Sequence, residues 1–147
     1  MGTGKSSLQT EMNPDRALFE GKIEGIVATC YANERPLRGL AGLLDWRFGG
    51  MISDCIRKGI ITGAVGECVY LPVKKRQKSY HLFLVGCGHT PSPGMRKGVP
   101  EQALEKLRTN LSSIQLNPIG ISQQDFGGED KEYFNKNFKG VPVWIVQ

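Results

Sequence analysis

Glycine recurs at helical spacing through residues 34–66, ERPLRGLAGLLDWRFGGMISDCIRKGIITGAVG, and no other stretch restricts the folds open to the chain as tightly. Leu37, Leu40, Leu44, Phe48, Met51, Ile52, Cys55 and Ile56 follow steps of three and four, which places them on one stripe of an amphipathic helical segment. Gly39, Gly42, Trp46, Gly50 and Ser53 form a second stripe. A glycine inside a helix costs about 1 kcal/mol relative to alanine, so their repetition implies close backbone contact, a kink, or a break near Gly49 and Gly50. The segment reads as packed on two sides, with the glycines and Trp46 in close contact with a neighbour.

The elements around it alternate between strand and helix. Lys22 to Tyr31, KIEGIVATCY, has the pattern of a half-buried to buried strand, and Asn33 with Pro36 marks the turn that follows. Glu67 to Val73 and Tyr80 to Gly86 are apolar strands close enough in sequence to pair as an antiparallel hairpin. Cys87 to Gly98, CGHTPSPGMRKG, is rich in glycine and proline and predicts a long exposed loop, a common carrier of function. Pro100 and Glu101 suit a helix start, and Val99, Ala103, Leu104, Leu107, Leu111 and Ile114 give that helix an apolar stripe. Pro118 to Ser122 and Val141 to Gln147 read as strands, Glu129 to Phe138 as a short helix. The expectation is an α/β domain on a mixed sheet over residues 22–147, with residues 1–21, polar and punctuated by Pro14, as a flexible N-terminal tail.

A chain of 147 residues fits one domain with a real core. Apolar runs such as Leu82 to Val85 are far shorter than the roughly 20 residues that span a bilayer, which predicts a soluble, cytoplasmic protein with no membrane partner. Cys30, Cys55, Cys68 and Cys87 sit singly inside apolar runs and read as buried free thiols in a reducing compartment. With His81 and His89 as the only histidines, no metal site is expected. The net charge of +5 is densest at Lys74, Lys75, Arg76 and Lys78. That cluster reads first as a solvated loop between strands and second as a contact for nucleic acid or another polyanion.

Catalytic chemistry is hard to assemble. Gly2 to Ser6, GTGKS, looks like the end of a phosphate loop, but the required first glycine and preceding strand are missing. Cys87, Gly88 and His89 at a strand end form the most enzyme-like cluster, with a buried core cysteine followed by a turn as its plain alternative. Glycines after strands point to ligand binding instead. Gly86 and Gly88, and separately Gly127 and Gly128, leave backbone amides free to receive an anion, although turn geometry alone also calls for glycine.

ERPLRGLAGLLDWRFGGMISDCIRKG, followed by TGAVGECVYLPV and HLFLVGCG, resembles the N-terminal domain of the leucyl (cytosol) aminopeptidase family, peptidase family M17, in order and spacing from about Ile23 to Gln147. The resemblance implies a three-layer macro-like fold, a central mixed β-sheet flanked by helices. In that family the two-metal peptidase site, with its N-T-D-A-E-G-R motif, belongs to a separate C-terminal domain, and nothing here matches it. The resemblance therefore implies a non-catalytic chain without cofactor, acting as a binding or assembly module. It leaves open a homo-oligomer or an aminopeptidase-like protein partner, a nucleotide ligand, and nucleic acid. Macro domains proper bind ADP-ribose and related nucleotides in a cleft of glycine-containing loops at strand ends, and Thr29 to Asn33, TCYAN, would lie near such a cleft.

Overall fold

The computed structural model describes residues 7–9, 13–114, 118–139 and 143–146. The strands are β1 (Ser7–Gln9), β2 (Gly25–Cys30), β3 (Cys68–Lys75), β4 (Lys78–Gly86), β5 (Ile119–Ser122) and β6 (Val143–Val146). The helices are α1 (Pro14–Phe19), α2 (Gly39–Arg47), α3 (Met51–Arg57), α4 (Glu101–Ile114) and α5 (Lys131–Asn137). The strands form one six-stranded mixed sheet in the order β1-β6-β5-β2-β4-β3. Among the described residues only the β3–β4 hairpin is antiparallel; β4, β2, β5, β6 and β1 run parallel to one another. Pro72 lies in β3, at the sheet edge, where its missing N–H removes no ladder bond.

The alternation of side chains along the central strands creates two cores. Ile26, Ala28 and Cys30 of β2, with Leu82 and Leu84 of β4, face a layer that includes Leu18 of α1, Leu44 of α2 and Ile52 of α3. Val27, Phe83 and Val85 point the other way, onto Leu104 and Leu107 of α4 and Phe134 of α5. Both faces of β2 are therefore buried, which explains its unbroken apolar run. The result is the expected α/β/α three-layer arrangement.

The segment over residues 34–66 departs from a continuous helix. Gly49 and Gly50, at φ 68° and 86°, end α2 and separate it from α3. Asp45 locks the corner: Oδ1 accepts the Ser53 amide at 2.9 Å, and the Ser53 hydroxyl donates to Oδ2. Trp46 is 76% exposed, so it does not share in the close glycine packing expected of it. The crowding is instead at Gly42, where a Cβ would meet the Leu37 carbonyl oxygen at 2.7 Å.

The division into a tail over residues 1–21 and a domain over 22–147 also needs correction. Asn13 precedes Pro14 at the first turn of α1, a favoured place for proline, and the helix seals Ala17 and Leu18 into the core. Arg47 of α2 reaches back to Asp15 at 2.7 Å and lies over the Phe19 ring. Further upstream, Ser7–Gln9 pairs with β6 as a parallel strand. Polar composition hid these elements because α1 has little more than one turn of apolar signal.

Candidate functional site

Parallel pairing of β2 with both β4 and β5 brings the carboxyl ends of these strands to the same side of the sheet. The chain leaves β2 through Tyr31 to Glu34, β4 through Cys87 to Gly98, and β5 through Gln123 to Gly128. In open parallel sheets such convergence is where ligands are held. A cavity of about 270 Å³ opens there, walled by Gly39 and Leu40 of α2, Gly94 and Arg96 of the β4 loop, and Gln124 and Asp125 of the β5 loop. Pro14, the first residue of α1, completes one rim.

A buried ionic cluster organises the loops. The side chains of Arg96, Glu34 and Asp125 are 8%, 1% and 3% exposed. Arg96 Nη1 donates to Glu34 Oε2 at 3.1 Å and lies 2.9 Å from Oε1, the second contact lacking hydrogen-bond alignment. Glu34 Oε2 also accepts the Gly94 amide at 2.8 Å, tying the β2 and β4 loops together. On its other side Arg96 Nε stands 3.7 Å from Asp125 Oδ1, an ion pair too long for a hydrogen bond. The guanidinium sits over the Tyr31 ring, 5.0 Å from its centroid. Tyr31 fixes the same loop, its hydroxyl donating to the Lys97 carbonyl at 3.3 Å and accepting the Lys97 amide at 3.0 Å.

Asp125 is anchored from β2. Its Oδ2 accepts the Thr29 amide at 2.6 Å and its carbonyl accepts the Thr29 hydroxyl at 3.2 Å. Burial pushes its carboxyl up to about 6, against the lowering effects of the Thr29 amide and Arg96. Asn33 and Thr90 exchange two 2.9 Å bonds that join the β2 and β4 loops at the rim. The TCYAN segment thus lies beside the cleft, as the macro-like architecture implies.

The glycines singled out from sequence occupy different roles. A Cβ at Gly86 would run into the Ala64 carbonyl, and one at Gly88 would meet Val65 Cγ2 at 2.6 Å, so both pack against the loop before β3. Gly127, at φ 84°, lies against the Lys97–Gly98 backbone, where a Cβ would be 3.0 Å from the Lys97 carbonyl carbon. The β4 and β5 loops therefore do converge at Gly127. Gly128, at φ 85°, has open space around it. Sequence reasoning does not reach Arg96, Glu34 and Asp125: each is an isolated charge in a polar loop, and only its position a few residues beyond a buried strand hints at a shared site.

The basic cluster is not one loop. Lys74 and Lys75 belong to β3, Lys78 opens β4, and the turn is Arg76–Gln77 alone, both at positive φ. Lys75 is committed to the fold: its Nζ donates to the Arg47 carbonyl at 2.7 Å and lies near the rings of Phe19 and Phe48. Lys74, Arg76 and Lys78 are exposed. The thiols are buried or half-buried and unpaired. Cys87 lies 1% exposed, burial pushes its thiol up to about 12, and His89 beside it faces solvent. Such a thiol stays protonated near neutrality, which leaves Cys87 as a core residue.

No protein-family profile and no curated protein matches the chain. Solved structures do. The macrodomain of Mycobacterium tuberculosis DarG superposes with a TM-score of 0.65 at 14% identity, covering 95% of this chain and 97% of that one. The macrodomain of Thermus aquaticus DarG gives 0.59 at 13% identity over 96% and 99% of the two chains. Thermosipho africanus DarTG, solved in complex with ADP-ribose, gives 0.57 at 12% identity, covering 88% of this chain and 39% of that one. None of these neighbours is an aminopeptidase, so what the M17 resemblance carries through is its macro-like architecture. Likeness at this level of identity establishes the fold, and by that measure the chain folds as a macrodomain.

Proposed function

We propose that the chain binds ADP-ribose or a related nucleotide, without turning it over, in the cleft at the carboxyl ends of β2, β4 and β5. The observation that carries this reading is the convergence of the strand-end loops on a 270 Å³ cavity within a macrodomain fold. The ADP-ribose complex of a structural neighbour supplies the ligand class. The cavity alone is at the small end for a nucleotide, so the open rim near Pro14 and Gln124 would hold the remainder. Isothermal titration calorimetry with ADP-ribose is the direct test. Absence of heat and of thermal stabilisation at millimolar ligand would refute the reading.

A second reading keeps the M17-like assembly module. Its support is Trp46, 76% exposed on α2, since an exposed tryptophan is a common anchor of protein interfaces. Sedimentation of the pure chain, with and without W46A, tests for self-association. Chelator-sensitive hydrolysis of a leucine amide would contradict this second reading.

A further inference from the structure

β3 closes one margin of the sheet, and among the described residues no strand lies beyond it. Its hairpin decides which backbone groups are left over. The turn is Arg76–Gln77, so Lys75 and Lys78 flank it as a hydrogen-bonded pair, and the alternation of an antiparallel ladder turns the backbone groups of Val73, Leu71 and Val69 towards β4. The Glu67 carbonyl, which accepts the Gly86 amide at 2.6 Å, continues the same phase. The N–H and C=O groups of Cys68, Tyr70 and Lys74, and the carbonyl of Pro72, therefore point away from the sheet.

Such a margin is open to another strand, and proline and lysine on it ordinarily restrict pairing. Here they are placed so that one register escapes the restriction. We propose that β3 of one copy pairs antiparallel with β3 of a second copy about a two-fold axis at Leu71, joining the two sheets into one. This register sets Cys68 opposite Lys74 and Tyr70 opposite Pro72, so every outward group finds a partner except the Tyr70 carbonyls, which face proline nitrogens. A slip that moves the axis to Pro72 sets proline against proline, where neither donates. A slip that moves it to Tyr70 carries Lys74 past the start of the opposing strand. Parallel pairing in register would bring the lysines side by side, like charge against like. The inference rests on the assembly reading and moves its contact from Trp46 of α2 to the sheet margin.

Side chains and charges agree with this register. Leu71 meets its own symmetry mate and Val69 meets Val73, so apolar groups that already pack on the first core extend it across the axis. Val69 and Leu71 are only half-buried in the single chain, which leaves them apolar surface to cover. On the opposite face Tyr70 lies against Pro72. Charge is divided along the strand: Lys74, Arg76 and Lys78 are exposed at the hairpin end, whereas Glu67 precedes Cys68 and Glu105 stands beside it. Antiparallel pairing lays the basic end of each copy on the end of the other that carries these two carboxylates. Cys68 also borders a hollow of about 380 Å³ walled by Glu105, Lys106, Thr109 and Asn110 of α4. The hollow gives Lys74 of the second copy room, with Glu105 as its counter-charge.

The test is sedimentation velocity of the pure chain, up to millimolar concentration, with variants at the axis. The expected result is a monomer–dimer equilibrium in the wild type that survives W46A and is lost in L71K and in L71E, where like charges face each other. Mixing L71K with L71E in equal amounts should restore the dimer, because this register sets position 71 against itself. A dimer that persists in both single variants, or a mixture that stays monomeric, overturns the proposal. A dimer lost in W46A but kept in L71K and L71E overturns it and leaves the assembly reading standing. A wild type that stays monomeric throughout overturns both. Leu71 also packs on the core, so L71C keeps the test decisive if the charged variants do not fold. Across the axis position 71 forms a non-hydrogen-bonded pair, about 4.5 Å apart at Cα and within disulfide range. Oxidised L71C should run as a covalent dimer where the wild type does not, and L71C that stays monomeric on oxidation overturns the proposal.

Discussion

The Thr29 amide donates to Asp125 Oδ2 at 2.6 Å, a bond that joins positions 96 residues apart and holds the β5 loop against the end of β2. The same carboxylate is buried and only loosely paired with Arg96. It is therefore both a strut and an electrostatic cost.

That cost has a defined pH window. An acid held near 6 in the folded chain, against about 3.9 when unfolded, contributes its full stabilisation below pH 4 and loses it as pH rises through 6. Relative to D125N, whose amide oxygen can still accept from Thr29, the wild type should lose on the order of 2 kcal/mol between pH 4 and pH 7.5. Paired thermal melts across that range measure the difference; a constant gap would count against a raised Asp125.

Gly39 is required for two reasons. Its φ is 64°, and a Cβ there would collide with the Arg96 guanidinium. G39A is expected to cost about 1–3 kcal/mol from backbone strain and to displace Arg96 from Glu34. Denaturant unfolding gives the first quantity, and loss of ligand affinity reports the second.

The loop glycines should separate by mechanism. G86A drives a methyl into the Ala64 carbonyl, whereas G128A meets open space and suffers only the strain of its positive φ. Destabilisation by G86A should clearly exceed the roughly 1–2 kcal/mol expected for G128A. Equal losses would show that the loop before β3 yields easily.

Two neighbours on α2 offer a contrast. Leu44 is 0% exposed and Trp46 is 76% exposed. L44A should cost about 2–5 kcal/mol, and W46A less than about 0.5 kcal/mol. Chemical denaturation of both variants provides the comparison.

The β3–β4 turn places Arg76 and Gln77 at φ 52° and 67°, a conformation suited to Asn-Gly. The double substitution R76N/Q77G should raise stability by about 1 kcal/mol without altering ligand affinity, as denaturant unfolding and calorimetry would measure.

Legibility in the sequence followed the range of the interactions. The hairpin, α4 and the central strands were readable because their apolar periodicity is local and long. α1 escaped because its evidence is Ala17 and Leu18 meeting the sheet, a tertiary fact hidden in a polar stretch. The break at Gly49 and Gly50 was one of several outcomes their spacing allowed, and Asp45 settled it by capping Ser53. The cleft was legible as a place, at the ends of strands, and hidden as chemistry. Glu34, Arg96 and Asp125 meet only after three loops fold together, and no spacing rule links residues 62 and 96 positions apart.

The pairing of β1 with β6 turns the two extremes of the sequence into one seam. Whoever trims this chain to its most conspicuous residues, from position 22 onward, removes the outer half of that seam along with α1. β6 would then become a bare margin with open hydrogen-bonding groups, ready to recruit a strand from another molecule. Clumping of such a shortened protein would then reflect where it was cut, and would say nothing about its natural partners.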